Sequence, residues 1–480
     1  MNMLTKNYLY TIFYQVFSII IPIITMPYVT RVLSPNSIGE VNYSQSIAQL
    51  FVLSTILGLG KYGVKVIAQE VRGTTDEMKI FIENYIVQIV LGVFSIVIYI
   101  SLGIIGNNDI LYYIQVIYII SAILDINWFY QGREDFKKSI TRGIFVKIFG
   151  LVLIFLLVND DSDKLIYALV LSGSQFLGTL FLFVTLFREC SFINNIKKNS
   201  IELNNVKKNL LESLKVFIPI FSLQIGMQMY PIIIGILGTK EDVAYFNNSI
   251  KIVLIPLYIV TSLSTVLMPR VTKMIANDTE EKIINKLMKQ SFNVVICLSI
   301  PLSMGIILIA PNFVPWFFGD NFTDATVFLQ ILAIKIVPMT LIEFIAYQYL
   351  LPHGKNTLYA FYTFIGTLIG FILLPPFFSI LGVNGIVFMS VLTDILVVIL
   401  LISKSRFLFM TIIGWDTLKF FVSAITTFAI LNMVNFNTIT SNSIVITVLE
   451  VLMFIIIYLI ILLCLKTDFI LEGGKKVFRV

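Results

Sequence analysis

The chain has 480 residues, 58% of them hydrophobic and only 13% charged, with a formal net charge of +6. Its mean hydropathy of +0.92 and repeated apolar stretches of about 18 residues or more exclude a water-soluble domain and read as membrane-spanning helices. These stretches lack the period-2 alternation of an outer-membrane barrel. The pieces between them are too short for a soluble catalytic domain, which needs at least about 40–50 residues.

The hydropathy pattern predicts an all-α polytopic membrane protein with about fourteen spans. They lie near residues 9–30, 38–60, 80–105, 110–131, 142–158, 164–187, 211–237, 242–269, 285–310, 324–350, 357–379, 382–403, 415–434 and 443–465. The first run is a full span with no small-residue cleavage site after it, which reads as an uncleaved N-terminal helix. Most of the 34 Lys and Arg residues fall on one side of this arrangement. Only Arg31, Lys164 and Lys240 fall on the other, while Lys147, Lys215, Lys251, Lys335 and Lys419 lie within spans or at their ends. That bias predicts cytoplasmic N- and C-termini.

The run Ile20–Ile47, broken by Pro22 and Pro27 and turned at Ser34-Pro35-Asn36, has a cousin about 204 residues later. There Pro231 precedes the turn Thr239-Lys240-Glu241-Asp242 and the segment Ala244-Tyr-Phe-Asn-Asn-Ser-Ile-Lys251. Further on, Tyr62-Gly-Val-Lys65 matches Leu267-Met-Pro-Arg270, and Asp125 before Tyr130-Gln131 matches Glu343 before Tyr347-Gln348. Two similar halves follow: residues 1–190 as an N-lobe of six spans, 191–210 as a lysine-rich cytoplasmic linker, 211–405 as a C-lobe, and 406–480 as an appended pair of spans with a tail.

Few residues in the pattern carry chemistry. Cys190, Cys297 and Cys464 have no pairing or metal spacing and read as small apolar filler. His353 is the single histidine, which argues against a histidine-based metal site. Gly58-Leu-Gly60-Lys-Tyr-Gly63 matches a dinucleotide fingerprint in letters, yet it follows a membrane helix rather than a strand and reads as a glycine-capped helix end. No nucleophile–base pair stands out, so nothing points to an enzyme.

Charges inside spans are costly and default to function or pairing. Arg31 sits near the end of its span, where it either snorkels outward or binds an anion. Lys251 and Lys335 lie too deep to snorkel easily, and Glu343 is the rival partner expected for Lys335. Asp125, Glu343, Asp394 and Glu450 are the acids within spans. Asp125 and Glu343 are the leading candidates for a proton- or Na⁺-coupling role, against pairing with a nearby cation.

Several blocks together resemble the Wzx-type polysaccharide flippases of the multidrug/oligosaccharidyl-lipid/polysaccharide exporter superfamily. They are Pro27-Tyr-Val-Thr-Arg31-Val-Leu-Ser-Pro35-Asn-Ser-Ile-Gly39, Gly58 to Gly63 with Ile67-Ala68, and Asp125-Ile-Asn-Trp128-Phe-Tyr130-Gln-Gly132-Arg-Glu134-Asp-Phe136 with Arg142. Ala244 to Lys251, Pro315-Trp-Phe-Phe-Gly319-Asp-Asn-Phe322 and Leu381-Gly-Val-Asn-Gly385 continue the likeness over nearly the whole chain. Arg133 and Asp135 depart from the family pattern. The resemblance implies two six-helix lobes forming a V around a cationic cavity, with an appended helix pair helping to hold a lipid tail. It implies alternating-access transport of undecaprenyl-pyrophosphate-linked oligosaccharides across a bacterial inner membrane, coupled to an ion gradient and without a cofactor. Membrane lipids, and a polysaccharide polymerase and glycosyltransferases, are the implied partners; nucleic acid is not. For such a substrate Arg31, Lys251, Lys335, Asn42 and Asn127 are the candidate contacts. A small-molecule exporter of the same superfamily is the alternative; such exporters rely on acids and aromatics rather than on basic residues. A membrane polymerase or glycosyltransferase would need a long outer loop or a catalytic domain, and the sequence offers neither.

Overall fold

A backbone in lipid must satisfy its own polar groups, which leaves the apolar runs little choice but to be helical. The computed structural model describes residues 17, 20–71, 74–105, 109–189, 201–405, 411–438 and 440–467. Most of the first expected span before Ile20, Cys190, the linker's 191–200, and residues 406–410 and 468–480 of the appended segment lie outside the described residues. Within them every other expected span falls on a helix. Eleven candidate spans are long and apolar enough to cross a membrane unaided, and Ile20–Val32 and Gln224–Leu237 are shorter apolar helices. The protein is therefore a multi-pass all-α membrane protein.

The helices are α1 (Ile20–Val32), α2 (Pro35–Ile56), α3 (Leu59–Ala68), α4 (Thr75–Ile105), α5 (Ile110–Ile123), α6 (Asn127–Gly132), α7 (Phe136–Leu157) and α8 (Lys164–Glu189). They continue with α9 (Leu203–Leu237), α10 (Lys240–Ala276), α11 (Glu281–Phe318), α12 (Ala325–Ala333) and α13 (Ile336–Ile345). A π-helical turn, Ala346–Leu350, follows, and then α14 (Asn356–Leu381), α15 (Val383–Lys404), α16 (Trp415–Asn432) and α17 (Ser443–Cys464).

Local chemistry sets the breaks. Ser34 caps α2 by accepting from the Ser37 N–H at 3.2 Å, with Pro35 at the first helical position, where its missing N–H costs nothing. Asp109 caps α5 and Asn442 caps α17 in the same manner. Prolines 256, 269, 301, 311, 315, 375 and 376 lie inside helices, as membrane helices tolerate when neighbours take up the freed carbonyls. Ser and Thr hydroxyls inside spans mostly return to the carbonyl four residues back, as Thr55 does to Phe51 and Thr367 to Thr363.

Two compact units emerge, residues 1–244 and 245–480. In the first, α2 packs against α4, α5 and α9, and α8 packs against α5 and α7. The seventh long helix, α9, thus packs within the first unit, whereas the repeat in the sequence sets its lobe boundary at 191–210. Beneath α3 lies an aromatic core of Phe81, Trp128, Phe129 and Tyr130. In the second unit, α11 packs against α16 and α17, and α14 lies along α15. The α14–α15 contact uses Gly366 and Gly370, whose missing side chains admit Val397 and Thr393. This is the small-xxx-small packing that replaces the hydrophobic effect where the solvent is itself apolar. Large apolar side chains such as Val90, Phe94, Ile372 and Ile456 are exposed on the outer helix faces, as a lipid-facing surface requires.

The Gly58–Gly63 segment does hold a helix end, with Gly58 at the N-cap of α3. The left-handed residue at the end of α2 is Leu57, with φ 43°, not a glycine. The glycines instead permit close approach: Gly58 faces the Ser213 carbonyl of α9, and a side chain on Gly63 would meet the Trp128 ring at 2.6 Å. Helix crowding accounts for Gly58 and Gly63, whereas nothing lies near Gly60.

Candidate functional site

The candidate cations divide by environment. Arg31 is exposed near the end of α1, and its Nη1 donates to the Pro27 carbonyl of its own helix at 2.6 Å. Lys251 is exposed on α10 and makes no hydrogen bond or ion pair among the described residues. It lies about 16 Å along α10 from Lys240, at 1.5 Å per residue. Ser249, two positions before Lys251, points to the opposite side of the helix, and both it and Asn248 are buried, with the Ser249 hydroxyl donating to the Ala325 carbonyl at 3.3 Å. Intramembrane position, exposure and lack of a partner together leave this ammonium open to an anionic ligand.

Lys335 is different. It is 7% exposed, in the break between α12 and α13. Its Nζ lies 2.7 Å from Asp394 Oδ2 and donates to the Ser390 carbonyl at 2.7 Å, both on α15. The expected rival, Glu343, is not its partner; Asp394 is. Lys335 and Glu343 are eight positions apart with a helix junction between them, whereas α15 packs directly against α12 and α13. A phosphate could reach Lys335 only at the expense of this pair.

Of the acids, Asp125 at the end of α5 lies 3.4 Å from Arg142 Nη1 on α7, and it accepts from the Asn127 N–H at 3.0 Å. Asp125 and Asn127, chosen separately from the sequence, are thus one local cluster that starts α6. Gln88 completes it. This fully buried amide donates to the Ala122 and Asp125 carbonyls at 2.6 and 3.0 Å and accepts from Trp128 Nε1 at 3.0 Å. It takes up carbonyls freed where α5 ends, so the Asp125–Phe136 motif builds a helix break inside the first unit. Next to it Arg133, the departure from the family pattern, forks onto buried Glu77 at 2.6 and 2.7 Å and lies over the Phe129 ring. Neither Gln88 nor Glu77 was singled out from the sequence; an acid and an amide within one apolar run were the available signal.

Glu343 is half-buried on α13 and has no cationic partner among the described residues. Glu450 is buried and accepts from Asn312 Nδ2 at 2.8 Å, a tie between α17 and α11. Asn42 is 5% exposed on α2; its carbonyl accepts the Ser46 hydroxyl at 2.8 Å, and its side-chain NH₂ has no hydrogen-bond partner among the described residues. Cys297 is half-buried, taking the Tyr458 hydroxyl on its carbonyl at 3.0 Å, and Cys464 is exposed. Among the described residues no group of three or more His, Cys, Asp or Glu is placed to hold a metal ion.

Comparison with known proteins places this arrangement in context. Residues 4–275 match the family model described as "Polysaccharide biosynthesis protein". A "Putative O-antigen transporter" of Shigella dysenteriae is 21% identical over 389 residues, covering 80% of this chain and 96% of the relative. One of the same name from Escherichia coli (strain K12) is 21% identical over 409 residues, covering 84% and 97%. Among solved structures, the lipid II flippase MurJ in an inward closed conformation superposes with a TM-score of 0.75 at 15% identity, covering 96% of this chain and 100% of that one. An inward-facing multidrug resistance MATE family transporter of the MOP superfamily gives 0.60 at 14% identity, covering 81% and 97%. At such identities the two structures establish a shared fold. With the family model spanning more than half of its length, the chain belongs to the polysaccharide biosynthesis protein family.

Proposed function

We propose that this protein is a flippase that carries a lipid-linked oligosaccharide, with undecaprenyl pyrophosphate as the lipid carrier, across the bacterial inner membrane by alternating access. The family and the two O-antigen transporters support transport of this class. The observation that carries the reading to the residue level is Lys251: an exposed, unpaired ammonium deep within an apolar helix. The physical need is clear. A sugar unit of roughly a dozen hydroxyls, each costing about 1–3 kcal/mol to bury unpaired, meets a barrier of tens of kcal/mol in bare lipid. At about 1.4 kcal/mol per tenfold in rate, unaided crossing is negligible. A charge pair at about 4 Å is worth about 4 kcal/mol at an effective dielectric of 20, so one lysine can hold a diphosphate without trapping it. Arg31, exposed near the end of α1, is the second headgroup candidate. Asn42, with an unpartnered NH₂, is the candidate sugar contact. The N- and C-termini are cytoplasmic in this reading.

The test is surface polysaccharide output in a flippase-deleted strain complemented with variants of matched membrane abundance. Lys251→Ala is expected to reduce output at least tenfold and Lys251→Arg to retain most of it. Normal output from Lys251→Ala would remove the headgroup role. Normal arrival of lipid-linked units at the outer leaflet in the deleted strain would remove the function.

A further inference from the structure

The two cousin hairpins of the repeat turn at Ser34-Pro35-Asn36-Ser37 and at Thr239-Lys240-Glu241-Asp242. The second turn caps its own helix. The Thr239 N–H and hydroxyl both donate to Asp242 Oδ2, at 2.8 and 2.7 Å, and the Asp242 N–H returns a bond to Thr239 Oγ1 at 3.2 Å. This is a capping box, with the acid three positions after the cap. In the first turn that position is Ser37, which has no carboxylate. The Ser37 N–H still donates to Ser34 Oγ at 3.2 Å, but the carboxylate is borrowed. Asp161 Oδ1 accepts from the Ser34 N–H at 2.7 Å, and Asp161 Oδ2 accepts from the Ser34 hydroxyl at 3.1 Å.

Asp161 lies 127 residues from Ser34 in sequence, in the turn between α7 and α8, and that turn is itself held from within. Asp160 Oδ1 accepts from the Ser162 N–H at 2.8 Å, and Asp163 Oδ2 accepts from the Asn159 and Asp160 N–H groups at 2.8 and 3.2 Å. Asp160 and Asp163 thus serve their own backbone, while Asp161 serves Ser34. Two contacts flank it. The Tyr28 hydroxyl on α1 donates to the Val158 carbonyl at 2.7 Å, and Lys164 Nζ at the start of α8 meets Glu40 Oε2 on α2 at 2.6 Å. The three contacts keep chain order on both sides: 28 with 158, 34 with 161, 40 with 164. The Lys164–Glu40 pair is partly exposed and holds weakly. The Asp161 bonds are charge-assisted and take a backbone N–H, so they dominate at the turn.

The sequence sets three basic residues on this side, Arg31, Lys164 and Lys240. Lys164 is committed to Glu40, and Lys240 lies over the Tyr43 ring and donates to the Gly235 carbonyl at 2.9 Å. Arg31 is the exposed one of the three and stands three residues before Ser34. The Leu33 N–H still bonds back to the Val29 carbonyl at 2.9 Å, so the last turn of α1 runs straight into Ser34. Fixing the Ser34 backbone therefore fixes where Arg31 is carried. We propose that Asp161 is a positioning residue: it supplies, from the α7–α8 turn, the carboxylate that α2 lacks, tethers this end of α1 there, and so holds Arg31 in place for the diphosphate of the lipid carrier. The second hairpin, capped from within, needs no such tether. This inference rests on the transport reading above, in which Arg31 is a headgroup contact.

The experiment uses the full-length chain in lipid nanodiscs, with its own cysteines changed to serine and spin labels on Asn36→Cys and Ser162→Cys, both exposed positions. Spin–spin broadening reports the tether, and backbone hydrogen exchange at Ser34 and Ser37 reports the cap. Wild type is expected to show strong broadening and slow exchange. Asp161→Ala should lose the broadening and exchange at least about tenfold faster. Asp161→Ala with Ser37→Asp rebuilds the box seen at Thr239, so slow exchange should return while the broadening does not. In the complementation assay, at matched membrane abundance, Asp161→Ala is expected to cut polymer output at least about fivefold and the double variant to stay as low. Asp161→Asn, whose amide oxygen can still accept from the Ser34 N–H, should retain most of it. Wild-type broadening or normal output in Asp161→Ala overturns the proposal. Output restored by Ser37→Asp also overturns it, since a local cap would then suffice, and so does a loss in Asp161→Asn as deep as in Asp161→Ala. If broadening and exchange behave as expected while the wild-type gene fails to restore polymer, the transport reading fails and the tether stands.

Discussion

Removing one partner of the Lys335–Asp394 pair should unfold the second unit far more readily than removing both. Asp394→Leu leaves an ammonium that is 7% exposed without its carboxylate partner, beside the Ser390 carbonyl that accepts from it at 2.7 Å. At 2.7 Å the lost attraction is about 6 kcal/mol at an effective dielectric of 20. Part of that is offset by the desolvation of both ions, and a broken buried pair costs about 3–5 kcal/mol net. That is a factor of about 10² to 4 × 10³ in the unfolding equilibrium. Lys335→Met with Asp394→Leu removes both charges and keeps the volume apolar, so its stability should return to within about 1 kcal/mol of wild type. The assay is reversible unfolding in mixed micelles at increasing mole fraction of sodium dodecyl sulfate, with polymer output measured in parallel. A single variant as stable as wild type, or a double variant no better than the single, would refute the argument. A double variant that is stable yet exports nothing would return Lys335 to the substrate, as its position within a span first suggested.

Two further perturbations probe how α9 and the α9–α10 turn are held in the first unit. A side chain at Gly39 would overlap the Lys240 carbonyl, so Gly39→Val is expected to cost about 1–3 kcal/mol as overpacking and to lower folded yield on size-exclusion chromatography; Gly60→Ala, where nothing lies nearby, should be neutral. At the other end of α9, Lys79 Nζ meets Glu202 at 2.8 Å, and the Asn205 side chain donates to Glu83 at 3.2 Å. The hydrogen bond and charge of Lys79 hold the Glu202 carboxyl below the ordinary glutamate range. A depressed acid contributes while ionised and loses that contribution as pH falls through its lowered value. Hydrogen exchange at the start of α9 should therefore quicken on acidification below about pH 4 in wild type, and be already fast and flat with pH in Lys79→Ala.

The sequence alone determined the class of solvent and, through it, the helices. Apolar runs of spanning length must be helical in lipid, and one break between them was visible as the turn Ser34-Pro35-Asn36. The matching of Asp125 with Glu343 was also visible, because a repeat keeps order and spacing even when side chains diverge. What could not be seen was how each charge was compensated. Lys335 finds Asp394 on α15, Arg133 finds Glu77 on α4, and Gln88 finds carbonyls at the end of α5; none of these pairs is set by local spacing. In lipid, burial does not drive helices together, so contacts follow the close packing allowed by residues such as Gly366 and Gly370. Tertiary structure therefore decided which intramembrane charges are paired, like Lys335 and Asp125, and which, like Lys251 and Glu343, meet no opposite charge among the described residues.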